Sequence, residues 1–361
     1  MYIEEISISK FRNIENMRFM PSNSINLILG KNAQGKTNIL ESIYVVANLK
    51  SFRGKKLSET INKNYDKSEI KTKVINNKVS NTLSLEIGKE EKTILLNNKR
   101  PSRVTESLGF LNTVLFYPDD ILVVKGSPSL RRNLIDRAVF QTDNNYLYLF
   151  QDYLRCLKQR NAALKEANLT SDPWDGQFAE LATKITFHRL AYIERINNIL
   201  SEIFERTYHC GESVSIKYPD YANDPHDFKK KFSARLAADR RKERLYGITL
   251  IGPHRDDPQF LLNGQSLSLY GSQGQQRSFM LAFKTAQIID FKKCRGMRPV
   301  LLLDDMTSEL DSDRKDSFFT SLLDQAGQVF ITSTDFTLLK NKRFSDGNFL
   351  KVENGTIDSY N

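Results

Sequence analysis

Residues 30–37 read Gly-Lys-Asn-Ala-Gln-Gly-Lys-Thr, a complete G-x-x-x-x-G-K-[ST] string placed between an apolar run at 25–29 and a stretch of helical spacing at 38–49. Few short strings restrict a fold as much, because a strand, a glycine loop and a helix must meet in one geometry. The glycines let successive backbone N–H groups wrap an anion at a helix N-terminus. Lys36 then sets an ammonium against β- and γ-phosphate oxygens, and Thr37 offers a hydroxyl to Mg²⁺. Gly30, Lys31, Asn32, Ala33, Gln34, Gly35, Lys36, Thr37 and Asn38 are therefore the expected nucleotide-binding stretch. A glycine turn without a ligand would leave the lysine at the helix start unexplained.

A second segment completes the pattern. Val-Leu-Leu-Leu-Asp-Asp at 300–305 has the form of a buried parallel strand whose C-terminal end faces a nucleotide. Asp304 is expected to hold Mg²⁺ through its water shell, and Asp305 to polarise the attacking water. Asp311, in Ser-Glu-Leu-Asp just beyond, sits where dimeric ATPases place a subunit-contact loop. The guanine-reading N-K-x-D string is missing, since Asn98 and Asn341 both open Asn-Lys-Arg-aromatic or Asn-Lys-Arg-Pro sequences without an aspartate. ATP is the expected nucleotide.

Residues 270–278, Tyr-Gly-Ser-Gln-Gly-Gln-Gln-Arg-Ser, run directly into a buried-helix pattern. Aligned on Ser272, the sequence Ser272, Gln273, Gly274, Gln275 corresponds to the S-G-G-Q core of the ABC signature. That signature is a helix N-terminus that binds the γ-phosphate of ATP held by a different subunit. Ser272 thereby joins Lys36 and Asp305 as an expected catalytic residue, and an ATP-dependent homodimer is the expected assembly.

The first third of the chain alternates in the manner of strands, with turns that predict antiparallel hairpins over 69–98. From Ser127 and Pro128, a suitable cap and first helical residue, the chain becomes helical. Phe178, Leu181, Ile185, Tyr192, Ile193, Ile196, Ile199, Leu200 and Ile203 mark one apolar stripe on a long helix. After Gly247 the α/β character returns. The expected fold is α/β: an ABC-type P-loop ATPase head at 1–125 and 247–361, with an antiparallel β subdomain and an inserted helical arm at 126–246. The two flanking pieces must meet in one sheet.

Of 361 residues, 53 are Lys or Arg and 43 Asp or Glu, a net charge of +10 that favours a polyanionic partner such as DNA. Eight bases stand against two acids over 229–244, including Lys229, Lys230, Lys231, Arg240 and Arg241. This run is either a nucleic-acid contact or a solvated helix face. The N-terminus carries acids where a secretory leader carries positive charge, and no stretch has the length of a membrane span, so no membrane association and a cytoplasmic location are expected. Cys156, Cys210 and Cys294 have no disulfide or zinc spacing and are taken as core thiols.

Seven strings in order, at 8–14, 30–41, 49–54, 125–136, 252–257, 271–278 and 301–311, together resemble the RecF family of bacterial gap-repair ATPases related to the SMC proteins. The resemblance covers nearly the whole chain. It implies that Arg12, beside Asn13, reaches the nucleotide and that Arg53 lies near the phosphates or DNA. Asp119 or Asp120 takes the Q-loop place, with Asp119 as a metal donor, and Thr332, Ser333 or Thr334 replaces the switch histidine. It also implies work with RecO and RecR to load RecA at single-strand gaps or ss/ds junctions, and a link to the SOS response. An aspartate at the catalytic position and hydroxyls at the switch should make hydrolysis slow. His254 in Gly-Pro-His-Arg-Asp-Asp is either structural or a nucleotide contact, and Arg131 and Arg132 either meet DNA or pair with acids. Two other readings compete: an ABC transporter ATPase subunit, which needs a glutamine Q-loop, and a DNA scaffold that binds ATP without hydrolysing it.

Overall fold

The computed structural model describes residues 1–166, 173–208, 211–219, 224–305, 322–323, 325–340, 344 and 347–359. Along the chain come β1 (Tyr2–Phe11), β2 (Ile14–Phe19), β3 (Ile25–Leu29), α1 (Lys36–Asn48), β4 (Lys67–Asn76), β5 (Val79–Gly88), β6 (Lys92–Leu96) and β7 (Thr113–Phe116). Next are α2 (Ile121–Lys125), α3 (Pro128–Thr142), α4 (Asn144–Ala163), α5 (Asp175–Tyr208), β8 (Val214–Lys217), α6 (Pro225–Tyr246), β9 (Gln259–Leu262), β10 (Gln265–Ser266), α7 (Leu267–Tyr270) and α8 (Gln273–Arg295). The chain closes with β11 (Val300–Asp304), β12 (Val329–Ser333), β13 (Asn348–Glu353) and β14 (Thr356–Ser359).

Contacts group these elements into two compact units, 1–120 with 291–361, and 121–290. The first unit holds two sheets. One is antiparallel, in the order β2-β1-β4-β5-β6, and contains the expected hairpins. Its β4 alternates buried and exposed residues, as a strand with one wet face must. The other sheet runs β14-β13-β3-β12-β11-β7, parallel except at β14. The two ends of the chain therefore do share one sheet: β3 and β7 come from the first part, and β11 to β14 from the last.

The central strands of the parallel sheet are mostly apolar and buried along their length, as strands covered on both faces must be. Leu301, Leu302 and Leu303 are fully buried, each worth about 1.5–3 kcal/mol relative to exposure. Register then decides the function. β3, β11 and β12 are parallel neighbours, and Leu303 pairs with Phe116 of β7, so Leu29, Asp304 and Ser333 all end at the same edge. Ligands of open parallel sheets bind outside that edge.

The second unit is mostly helical, with a small sheet β10-β9-β8. The predicted stripe is real: Phe178, Ile185, Tyr192, Ile196 and Leu200 of α5 are buried in its core. The compact unit extends past the expected boundary at 246, because Phe260, Phe279 and Phe283 pack into the same core as α5. Ser127 stands at the start of α3 but makes no cap bond, its hydroxyl lying 2.7 Å from that of Ser129. Cys156 is a core thiol, whereas Cys294 is exposed in the last turn of α8; Cys210 lies outside the described residues. Among the described residues no helix is long and apolar enough to cross a membrane.

Candidate functional site

β3 delivers the chain to Gly30, which has no room for a side chain: a Cβ there would sit 2.5 Å from the carbonyl oxygen of Val352. At the other end Gly35 opens α1 with φ +112°, a region that side-chain-bearing residues avoid, and no side chain caps the helix. The first N–H groups of α1 are thus left without a side-chain acceptor, the arrangement that suits a phosphate. The loop is held from outside by two turns. Asn13 Nδ2 donates to Gln34 O at 3.1 Å and Asn38 Nδ2 to Asn13 Oδ1 at 2.7 Å. From the β13–β14 turn, the Asn354 N–H donates to Gln34 Oε1 at 2.7 Å and the Gly355 N–H to Gln34 O at 2.9 Å. This second clamp has no local sequence signal, because its partners lie at opposite ends of the chain.

Lys36 is buried, and its ammonium donates to the carbonyls of Gly30 at 2.7 Å and Lys31 at 2.8 Å. Burial lowers its pKa from the usual lysine range, while the charges of Asp305 and Asp304 oppose that shift.

At the end of β11, Asp304 Oδ1 accepts from the Thr37 hydroxyl at 2.9 Å and from the Thr332 hydroxyl at 2.8 Å. Burial raises the Asp304 pKa, and those two hydroxyl bonds resist the rise. A hydroxyl and a carboxylate joined in this way are the hard oxygen donors Mg²⁺ prefers. Among the described residues no group of three or more His, Cys, Asp or Glu could form an all-protein cage. The donor set therefore fits an ion that also takes phosphate oxygens.

Asp305 adopts φ +46°, a left-handed backbone, and its N–H donates to Thr332 Oγ1 at 3.0 Å. That conformation costs an ordinary residue about 1–2 kcal/mol, less for Asp, and such strain gathers at functional sites. A cleft of about 190 Å³ is lined by residues 32–38, Arg53, Asp305 and Thr332. Of the three expected switch hydroxyls only Thr332 lines it; the Ser333 hydroxyl accepts from the Asp335 N–H at 3.0 Å, and Thr334 is exposed.

Arg12, expected to reach the nucleotide, is held beside the loop by an acid of α1. Its guanidinium grips Glu41 at 3.0 and 2.6 Å and donates to the Glu59 carbonyl at 2.8 Å, and it does not line the cleft. Arg53 does line it, with Nη1 donating to Asn38 Oδ1 at 2.8 Å. Glu41, fully buried on α1, joins the two: it also accepts from the Ser51 hydroxyl at 2.6 Å and lies 3.7 Å from Arg53. The sequence reading missed this carboxylate, although an acid amid the apolar residues of α1 was a usable sign. Asp120 accepts the Tyr117 N–H at 3.0 Å, and Asp119 stands beside it in the same short turn. The Tyr117 pKa is pushed up to about 12, first by burial and then by Asp119 and Asp304. Neither aspartate lines the cleft, and Asp311 lies outside the described residues.

In the second unit, Ser272 and Gln275 close a reciprocal cap on α8. The Ser272 N–H donates to Gln275 Oε1 at 2.8 Å, and the Gln275 N–H donates to the Ser272 hydroxyl oxygen at 3.2 Å. Gln275 also donates to Glu212 at 2.6 Å. Ser272, Gln273 and Gly274 are exposed. The S-x-x-Q spacing was legible as a capping box but was read only as a signature.

His254 is structural: its Nε2 faces the Thr249 carbonyl at 3.3 Å, so Nδ1 accepts from the Tyr153 hydroxyl at 2.6 Å, and burial lowers its pKa to about 4. Arg131 pairs with Asp257 at 2.7 Å, and Arg132 donates to the Asp256 carbonyl at 2.6 Å. On α6, Lys229 pairs with Glu180, Lys231 with Asp227 and Arg240 with Asp175. Lys230 and Arg241 are exposed.

The chain matches the family model described as RecF/RecN/SMC N terminal domain over residues 2–356. A relative from Syntrophotalea carbinolica, named DNA replication and repair protein RecF, is 40% identical over 362 residues, covering 100% of both chains. A solved structure of the recombination mediator protein RecF with ATP, in the RecFOR pathway, superposes with a TM-score of 0.92 at 30% identity, covering 100% of this chain and 98% of that one. An Smc head bound to the C-winged helix domain of ScpA shares the fold, with a TM-score of 0.58 at 16% identity, covering 100% of this chain and 97% of that one.

Proposed function

This chain belongs to the RecF family of ABC-type P-loop ATPases, and from that premise we propose that it is an ATP-driven DNA clamp of recombinational gap repair. The observation that carries the reading is the meeting of Thr37, Asp304 and Thr332 on one carboxylate oxygen beside the Lys36 loop. The Lys36 ammonium exchanges its loop carbonyls for β- and γ-phosphate oxygens, and the N–H groups opening α1 take the β-phosphate. Thr37 and Asp304 would hold Mg²⁺, which when bound would neutralise phosphate charge. Asp305 orients and deprotonates the attacking water, and Thr332 holds the Asp305 backbone in the conformation that work needs. Ser272 belongs to the partner copy's nucleotide, which makes each site composite and ties hydrolysis to dimerisation.

The dimer closes on DNA at a gap or ss/ds junction, acts there with RecO and RecR in loading RecA, and opens after slow, DNA-stimulated hydrolysis. The cytoplasm is the compartment for such work. Light scattering with and without Mg-ATP and a gapped duplex tests this. Doubling of the mass with ATP, retained when Asp305→Asn blocks turnover, is the expected result. A chain that hydrolyses ATP while remaining monomeric at every concentration refutes the reading.

A further inference from the structure

α6 carries the longest basic run, yet four of its bases, Lys229, Lys231, Arg235 and Arg240, are paired with acids of α5 and of α6 itself. A different basic cluster lies within the first unit. A cleft of about 630 Å³ is walled by the loop after α1, residues 54–58 and the β5–β6 turn, and five lysines line it against two glutamates. Lys89 pairs with Asp66 at 2.6 Å; Lys50, Lys55, Lys56 and Lys92 have no ion pair among the described residues. Burial and, after it, the like charge of Lys50 lower the Lys92 pKa from the lysine norm. A multivalent anion relieves the Lys50–Lys92 repulsion, and the cleft of about 630 Å³ is larger than a single phosphate requires.

The two clefts have no lining residue in common, but the 51–54 loop runs between them. Ser51 lines the first and Arg53 the second. The Ser51 hydroxyl donates to Glu41 at 2.6 Å and accepts the N–H groups of Arg53 and Gly54, both at 2.9 Å. An anion drawing on Lys50 or Lys55 therefore acts on the short loop that carries Arg53. We propose that the trough formed by Lys50, Lys55, Lys56 and Lys92 receives the phosphodiester backbone of duplex DNA, and that the 50–54 loop relays its presence to the nucleotide cleft. The inference rests on the DNA-clamp reading and names the surface that reading lacks.

The test is fluorescence anisotropy of a labelled duplex with the full chain and Mg-ATP across a salt series. Each lost phosphate contact flattens the log–log salt slope by about 0.9. The triple variant Lys50→Gln/Lys56→Gln/Lys92→Gln is expected to flatten it by about 2–3 and to weaken binding about equally for every sequence. The α6 variant Lys230→Gln/Arg241→Gln/Lys242→Gln is expected to keep the wild-type slope. An unchanged slope in the trough variant, the loss falling on the α6 variant instead, or pyrophosphate displacing the duplex at matched ionic strength would each overturn the assignment. Failure of the wild type to bind duplex at low salt would bring down the clamp reading itself, and the two failures are thus told apart. Acetylation footprinting of the wild-type chain gives a variant-free check: DNA should protect Lys50, Lys55, Lys56 and Lys92 but not Lys230 or Lys242, and the reverse pattern overturns the proposal.

Discussion

Helix α1 begins at a left-handed Gly35 with no side-chain cap, whereas α8 begins at Ser272 with both bonds of a Ser–Gln capping box closed. Both helix starts serve the same nucleotide chemistry in the reading above, yet they leave different groups available. At α1 the backbone donors remain for a ligand, and the surrounding side chains, Lys36, Thr37, Asp304 and Asp305, come from the same unit. At α8 the Ser272 oxygen accepts a backbone N–H, so its hydroxyl proton is what it can still offer outward. In the proposed function the first start is a site within one unit, and the second, capped and exposed, is a half-site for a partner copy's nucleotide.

The comparison breaks most visibly at Asp305. Asn tolerates the left-handed backbone at this position, so Asp305→Asn should fold and bind ATP while phosphate release falls about 10²–10⁴-fold. Retention of more than a tenth of wild-type turnover would remove Asp305 from the chemistry.

Acid should separate the two units. His254, in the second unit, has its pKa lowered to about 4 from an ordinary 6.5, by burial first. The folded state therefore binds that proton less readily than the unfolded chain does. Its contribution is complete above pH 6.5 and is lost as pH falls toward 4, an effect of about 3 kcal/mol in that window. Hydrogen exchange should show residues 249–257 loosening across this range before residues 30–48 do, and His254→Asn should remove the slope.

Lys36→Ala should weaken ATP binding by about 10–100-fold, in line with about 1.5–3 kcal/mol for hydrogen bonds to a charged group, and should abolish ATP-dependent mass doubling. Fluorescent-nucleotide titration reads the first effect and light scattering the second.

The smallest effect sharpens the contrast furthest. Ser272→Ala should cost about 1 kcal/mol of stability in urea unfolding by losing the cap, whereas Ser272→Asp keeps the cap and the stability. Both should lose ATP turnover while each monomer still binds nucleotide. If Ser272→Asp turns over ATP like the wild type, the serine is a cap alone.

Legibility in the sequence followed locality. The loop at 30–37, the apolar strand ending at Asp304 and Asp305, and the stripe on α5 could all be read, because each depends on residues close in sequence and on backbone chemistry that glycine, lysine and apolar runs announce by themselves. The fold class followed from the order of those pieces. The surroundings of Arg12 were not legible for the opposite reason: its partner Glu41 lies 29 residues away, and only packing shows that the guanidinium is engaged there.

Charge was the least legible quantity of all. The run on α6 read as either a nucleic-acid contact or a solvated face, and Glu180 and Asp175, supplied by α5, neutralise part of it. The lysines at 50–56 and 92, scattered and unremarked in the sequence, converge through the turn after α1 and the β5–β6 hairpin. What the sequence determined by itself was the set of backbone conformations and buried faces, which are short-range. Which hydroxyls reach Asp304, which arginine faces the cleft and which lysines stay unpaired were decided by tertiary structure, because hydrogen bonds and ion pairs depend on ångström distances between residues that the chain holds far apart.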